Sequence, residues 1–258
     1  MLNPIKLPII NRKGGVGKTS VSTNLAYLLA QSGKRTLLID LDPQGNSTAT
    51  FGDENAEYLV DTIFEDRRAD IRKCIATAIS AGNTVKNLDM IGANTRLALA
   101  AERMVAQHYR ERRLANHLLK VENDYDYIIM DCPPNLGLLT VNAIYAATWA
   151  IVPTTYGRYA LDGVSDLVET IDEIREGIGL CEWRLLRNGL DLRRSTVNAR
   201  VEKTLDAVRS HVMKTCIRSC EDINKAQMEG LPVETFNRRG NSAEDFRALT
   251  QEVLTYGE

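Results

Sequence analysis

Apolar and polar positions along the chain fall into two alternating regimes. Short, nearly continuous apolar runs occur at residues 6–11, 36–41, 88–92, 127–131, 149–153 and 183–187. Such runs mark strands buried on both faces of a parallel sheet. Helical stripes lie between them. Val21, Leu25, Leu28 and Leu29 recur at i, i+4, i+7 and i+8, and Gly33 ends that helix. Residues 97–121 predict one long helix, with Leu97, Ala101, Met104, Val105 and His108 on its inner face and Arg110 to Arg113 on its solvated face. Further helices are expected over 69–80, 161–178 and 242–256, and residues 230–233 read as a turn into a short strand. Pro8 cannot donate to a sheet ladder, so it is expected at the start of its strand or facing a gap. Strands alternating with helices predict a doubly wound α/β fold, a mostly parallel sheet with helices on both faces.

Composition narrows the reading. At 258 residues and 44% hydrophobic, the chain is expected to form a single domain, 1–258, with no repeat and no linker. Five cysteines, an odd number without a C-x-x-C pair, argue against a disulfide framework or a zinc knuckle and suit a reducing cytoplasm. No apolar run approaches the roughly 18 residues of a membrane span, and no signal peptide is evident. His108 and His117 lack any partner pattern for catalysis or metal binding and read as structural.

The chemistry concentrates after three of the apolar runs. The first leads into Asn-Arg-Lys-Gly-Gly-Val-Gly-Lys-Thr-Ser at 11–20. Glycines let a backbone approach phosphate groups, and N–H groups at a helix N-terminus then hold the negative charge. Gly14, Gly15, Val16 and Gly17 supply the loop. Lys18 is placed for the β- and γ-phosphates, the Thr19 hydroxyl for Mg²⁺, and Ser20 closes the nucleotide-binding loop. This is a P-loop with Arg12 where the usual spacing has its first glycine, and with an extra lysine, Lys13. The second run ends in Asp40-Leu41-Asp42-Pro43-Gln44-Gly45-Asn46 and the fourth in Asp131-Cys132-Pro133-Pro134. Acids at the C-terminal ends of parallel strands sit where such sheets bind ligands. Cys132 reads as a small packed residue.

Lys-Gly-Gly-Val-Gly-Lys-Thr resembles the deviant Walker A motif of the family that includes ParA, MinD and the nitrogenase iron protein. The segments around Asp42 and Asp131 resemble those of ParA proteins, and the resemblance spans nearly the full chain. The P-loop starts about ten residues in, which leaves no room for the N-terminal helix-turn-helix of longer ParA proteins, so the short, Soj-like form is expected. The resemblance implies an ATP-dependent homodimer that sandwiches two ATP molecules. Lys13 would reach the partner's phosphates, Asp42 would position the attacking water, and Asp40 and Asp131 would order Mg²⁺ waters. It further implies non-specific DNA binding by the dimer, hydrolysis stimulated by a ParB-like adaptor, and a cytoplasmic, nucleoid-associated protein that segregates a plasmid, chromosome or other cargo.

Charge distribution bears on the DNA expectation. Residues 184–218 carry nine Lys or Arg against three Asp or Glu, a local +6 in a chain of net −2. A segregated basic stretch is the footprint of a polyanion partner. Arg193 matches an arginine of the family's DNA surface, and Arg194 and Arg218 are the neighbouring candidates. Soj-like proteins carry Ile-Pro-Arg-Asn-x-Arg where this chain has Ile217-Arg218-Ser219-Cys220-Glu221-Asp222, so two family arginines are missing. The Gln and Glu usual after Pro153 are replaced by Thr155 and Gly157, followed by Arg158. Three alternatives belong to the same superfamily, one of them a metabolic ligase. A MinD-like membrane-cycling ATPase needs a basic amphipathic tail, but residues 245–258 hold one Arg. An iron–sulfur carrier needs cysteines at a dimer axis, and Cys132 alone is in a suitable region.

Overall fold

A computed structural model describes residues 3–155 and 182–256. Eight strands form one sheet in the order β3-β4-β2-β5-β1-β6-β7-β8. They are β1 (Ile5–Ile9), β2 (Thr36–Asp40), β3 (Ala76–Ser80), β4 (Asn83–Ile91), β5 (Tyr127–Asp131), β6 (Trp149–Thr155), β7 (Glu182–Leu190) and β8 (Val212–Arg218). All pairings are parallel except β3 with β4. The helices are α1 (Lys18–Gln31), α2 (Asn46–Phe51), α3 (Val60–Glu65), α4 (Arg96–Met104), α5 (Arg113–Leu118), α6 (Leu138–Ala146), α7 (Ser195–Leu205), α8 (Glu221–Met228), α9 (Val233–Phe236) and α10 (Asn241–Thr255).

Two apolar clusters sandwich the sheet. One joins Ile10, Ile39, Ile128 and Val152 to side chains of α3 to α7, including Phe64, Leu97, Leu114 and Ala143. The other joins Leu7, Leu38, Ile129 and Ile151 to Leu25 and Leu29 of α1 and Phe246 and Leu249 of α10. Successive residues of one strand thus feed opposite layers, which is why these strands lack a polar face.

Pro8 lies inside β1, and the expected gap faces it. The neighbouring nitrogens on the same side, Lys6 N and Ile10 N, donate to Thr148 Oγ1 and the Ile151 carbonyl. Towards β6 the ladder of β1 narrows to one registered pair, Ile9 with Ile151, so the missing donor costs no sheet bond there.

Three expectations are corrected. The helix over 69–80 is instead a short 3₁₀ turn, Ile71–Cys74, followed by β3. Ala81 and Gly82, at φ 50° and 75°, make the two-residue turn that folds β3 back on β4. The long helix over 97–121 breaks into α4 and α5. Tyr109 adopts φ 56°, and the Asn142 amide of α6 captures the Arg110 carbonyl at 2.9 Å and the Leu114 N–H at 3.1 Å. Val105 and Tyr109 are consequently exposed and Arg113, expected in solvent, is 6% exposed. Residues 230–233 lead into α9, a helical turn, because the Asn24 carboxamide accepts from Val233 N–H at 2.7 Å. The helix expected over 161–178, with Gly157 and Arg158, lies outside the described residues.

Candidate nucleotide site

The crevice opens where β1, β2, β5 and β7 end. Gly15 and Gly17 turn the loop at φ 71° and 87°. A Cβ at Gly17 would lie 2.2 Å from Asn188 Nδ2, so glycine is demanded by space as well as by conformation. Asn188, at the end of β7, donates to the Val16 carbonyl at 2.6 Å, and Asn11 Oδ1 accepts from Lys13 N–H at 2.9 Å. The loop is therefore held from both sides. It delivers the chain into α1, whose first turn has no side-chain cap. The first N–H groups of a helix have no intrahelical acceptor, so this end presents donors to an anion.

Lys18 is 7% exposed, and its Nζ donates to the Lys13 carbonyl at 3.1 Å. Burial lowers its pKa, opposed by the nearby Asp131, Cys132 and Asp42. Lys13 and its neighbours Arg12, Gly14 and Gly15 are exposed on the rim. Lys18 and Lys13 therefore occupy different environments within one loop.

Asp40 and Asp131 are registered neighbours on β2 and β5, and both are almost wholly buried. Burial pushes both carboxyls up, Asp40 further through the charge of Asp131. Asp131 is restrained by hydroxyl donors: Ser47 at 2.7 Å, Ser22 at 3.0 Å, and Thr19. Asp40 accepts from Asp42 N–H at 3.0 Å and from the Thr48 N–H and hydroxyl at 2.9 and 2.8 Å. It thus fixes the turn that carries Asp42. Gly45 completes that turn at φ 66°, where a Cβ would meet the Ala93 carbonyl at 2.9 Å. Asp42 accepts from Gln44 N–H at 3.0 Å and lines the cleft together with Gly14, Lys18, Thr19 and Ser20. The cleft encloses about 500 Å³.

The predicted loop from Gly14 to Ser20, apart from buried Val16, lines the cleft with Asp42; Asp131 meets it through Thr19, Asp40 stands beside Asp131, and Lys13 stays on the exposed rim. The donor set fits a hydrated divalent cation: a hydroxyl, Thr19, backed by a carboxylate that hydroxyls orient. Sequence reading missed Ser22, Ser47, Thr48 and Asn188. Their signal was available only in part, as polar residues one turn into α1 and α2 and at a strand end before Gly189.

The basic stretch is arranged differently. Arg193 and Arg194 both pair with Asp191, at 2.9 and 3.4 Å, with side chains 90% and 68% exposed. Hydrogen bonds from Arg193 pull the Asp191 carboxyl down to about 2. Arg187 pairs with Glu202, and Arg209 with Glu202 and Asp206. Arg218 does not stand beside Arg193 as a free cation. Its guanidinium grips Asp245 and Glu244 of α10 at 2.6 and 2.7 Å, and the residue lines the nucleotide cleft.

Among the described residues no helix is long and apolar enough to cross a membrane, and no cluster of His, Cys, Asp or Glu has the makings of a metal site. Cys132 is 1% exposed, and burial raises its thiol well above the ordinary value, the opposite of what a thiolate ligand needs.

A parallel sheet with a glycine loop, a buried lysine and strand-end acids at one crevice defines a P-loop nucleoside triphosphatase. Residues 6–180 match the AAA domain family. The chain is 38% identical over 256 residues to the sporulation initiation inhibitor protein Soj of Bacillus subtilis (strain 168), covering 97% of this chain and 98% of that protein. It is 33% identical over 248 residues to the chromosome partitioning protein ParA of Myxococcus xanthus (strain DK1622), covering 95% and 86%. Among solved structures, cobyrinic acid a,c-diamide synthase from Mycobacterium smegmatis, with bound ADP and magnesium, superposes with a TM-score of 0.81 at 25% identity over 99% of this chain and 95% of that one. The chain belongs to the ParA family of partition ATPases.

Proposed function

We propose that this chain is a DNA-positioning ATPase. Two copies sandwich two ATP molecules, the ATP-bound dimer coats DNA without sequence preference, and a ParB-like adaptor stimulates hydrolysis and release. The cargo, a plasmid, chromosome or other body, follows the resulting gradient over the nucleoid. The observation that carries the reading is the crevice itself, where the loop sets the buried Lys18 among Thr19, Ser20 and Asp42 and leaves Lys13 exposed outside it. The family supports it, and the magnesium and ADP of the superposed synthase support ATP and Mg²⁺ as the ligands here.

Mg²⁺, when bound, neutralises phosphate charge. Thr19 would hold the ion and Asp131 would reach it through water, with Ser22 and Ser47 fixing the carboxylate. Asp40 would act at one remove by setting the Asp42 turn. Gly14 to Ser20 would bind the phosphates through N–H groups, with Lys18 at the β- and γ-positions. Lys13 would cross to the partner's phosphates, and Asp42 would orient the attacking water. Arg193 and Arg194 are the proposed DNA contacts, and exposed Arg200 and Lys203 of α7 extend that face. Arg218 joins it only if its ion pairs with α10 open.

The test is sedimentation with plasmid DNA and with anionic liposomes, in ATP and in ADP. Binding to DNA in ATP alone supports the reading. Binding to liposomes, or to neither, overturns it.

A further inference from the structure

A second basic recess lies on the α3 to α6 face, away from the nucleotide crevice and sharing no residue with it. It encloses about 290 Å³ and is lined by Arg67, Arg112, Arg113, His108, His117 and Asn116, with Tyr109 at its edge. No carboxylate lines it. The acids Glu65 and Asp66 line the adjoining groove, which Arg67, His108 and Arg113 also line; there Glu65 is paired with Arg103 and Asp66 Oδ1 accepts from Arg68 N–H.

Arg113 is the anomaly. It is 6% exposed, its Nη2 donates to Gln107 Oε1, and its buried Nη1 has no partner among the described residues. No described carboxylate lies within ion-pairing distance of it. A buried charge without a counter-charge is costly to keep. Burial and the repulsion of Arg67 both weaken the charged form, and Asp66 only partly offsets them. His117 repeats the pattern. It is 1% exposed, both ring nitrogens lack partners among the described residues, and burial with Lys120 and Arg113 lowers its pKa to about 4. Arg67 is exposed at the mouth and has no ion pair among the described residues.

We propose that this recess is a second ligand site, which takes the terminal phosphate group of a small phosphorylated molecule. Forked guanidinium donors match phosphate oxygens in geometry, and three arginines converge here with two imidazoles. An oxyanion in the recess supplies the counter-charge and the acceptor that Arg113 lacks. The burial of Arg113 selects the occupant. A phosphodiester of duplex DNA stays on a convex ridge, whereas a monoester or diphosphate end can enter and reach a guanidinium that is nearly closed to solvent. The site is independent of the ATPase reading, because none of its residues belongs to the crevice.

Inorganic pyrophosphate is the probe. It is titrated into the full chain carrying Lys18→Ala, without nucleotide and with EDTA at constant ionic strength, and followed by calorimetry and by Tm. The expected result is one saturable site per chain and a rise in Tm. Arg67→Glu, at an exposed position, weakens binding by at least about tenfold, the effect of one lost charge-assisted contact. Arg113→Met abolishes binding, yet without pyrophosphate it melts no lower than its parent, because it removes an uncompensated buried charge. Three results overturn the proposal: no saturable binding up to about 10 mM, binding that Arg67→Glu leaves unchanged, or full displacement of pyrophosphate by duplex DNA. The last would assign the surface to a DNA backbone.

Discussion

The nucleotide crevice and the stretch from Arg184 to Arg218 both concentrate charge, and they treat it in opposite ways. In the crevice the charges are buried and few, and each is aimed. Asp131 is held by the hydroxyls of Ser22 and Ser47, Asp40 by the backbone of Asp42 and by Thr48, and Lys18 by the loop carbonyl of Lys13. In the basic stretch the charges are numerous and mostly exposed, and carboxylates answer many of them locally: Asp191 for Arg193 and Arg194, Glu202 for Arg187 and Arg209, and Asp245 for Arg218. A charge in low dielectric with fixed donors acts strongly at one point, while exposed pairs are worth little each and yield to salt. The crevice is therefore built for chemistry. The basic stretch, under the proposed reading, would serve contact that forms and releases.

The largest effect is expected from the crevice. Lys18→Ala removes the single buried ammonium at the loop, and ATP binding measured by calorimetry should fall below detection. Unchanged affinity would remove the crevice's claim to phosphates. Lys13→Ala and Asp42→Ala should keep binding and lose turnover. For Lys13 the loss is expected at roughly 10³–10⁵, the range for a cation supplied in trans to phosphoryl transfer. For Asp42 it is roughly 10²–10⁴, the range for a positioned acid–base group. Light scattering separates the two: Asp42→Ala should accumulate as an ATP-bound dimer and Lys13→Ala should dimerise poorly. A monomeric Asp42→Ala protein in ATP would contradict the sandwich.

The basic stretch should respond more gently. Arg193→Ala with Arg194→Ala is expected to weaken ATP-dependent DNA binding alike for all sequences and to lower the salt slope by about 2, one per phosphate contact. In the proposed dimer the second contact would be intramolecular, which should raise the wild-type affinity. A slope identical to wild type at every salt concentration would move the DNA face elsewhere, and would leave Asp191 as the only role of this pair.

The same contrast governs what the sequence disclosed. β5 is found over the span read from Tyr127–Asp131, and β1, β2, α1 and α10 within a residue or two at their ends, because apolar runs and stripes of that length have one stable burial. The P-loop was legible because three glycines, a lysine and a threonine encode one backbone path. Long-range partners were not. Asn142 breaks the expected helix from Leu97 by capturing Arg110 and Leu114 from another element, and Asn188 braces Val16 from 172 positions away. Counting charge also misled in detail. The local +6 of the basic stretch includes Arg218, whose carboxylate partners Glu244 and Asp245 lie beyond the counted window.

Arg218 gives the finest discrimination between the two regions, because it belongs to the basic stretch by sequence and to the crevice wall by position. Its Nε and Nη2 contact Asp245, its backbone N–H donates to the same carboxylate at 2.8 Å, and its Nη2 also reaches the Asn241 carbonyl at 3.2 Å. The Asp245 side chain is only 10% exposed, so Arg218→Ala would leave a largely buried carboxylate with one remaining donor from this residue. Removing one partner from such a pair costs about 1–3 kcal/mol, which should register as a lower Tm. If Arg218 serves to tie β8 to α10, the variant loses stability while its DNA salt slope stays at the wild-type value. If Arg218 instead leaves Asp245 for a phosphate in the ATP-bound dimer, the slope falls by about 1 and the loss appears in ATP only. Measuring Tm and the slope on the same preparation decides between them. The extent of the ion pairs with Asp245 and Glu244 favours the first outcome.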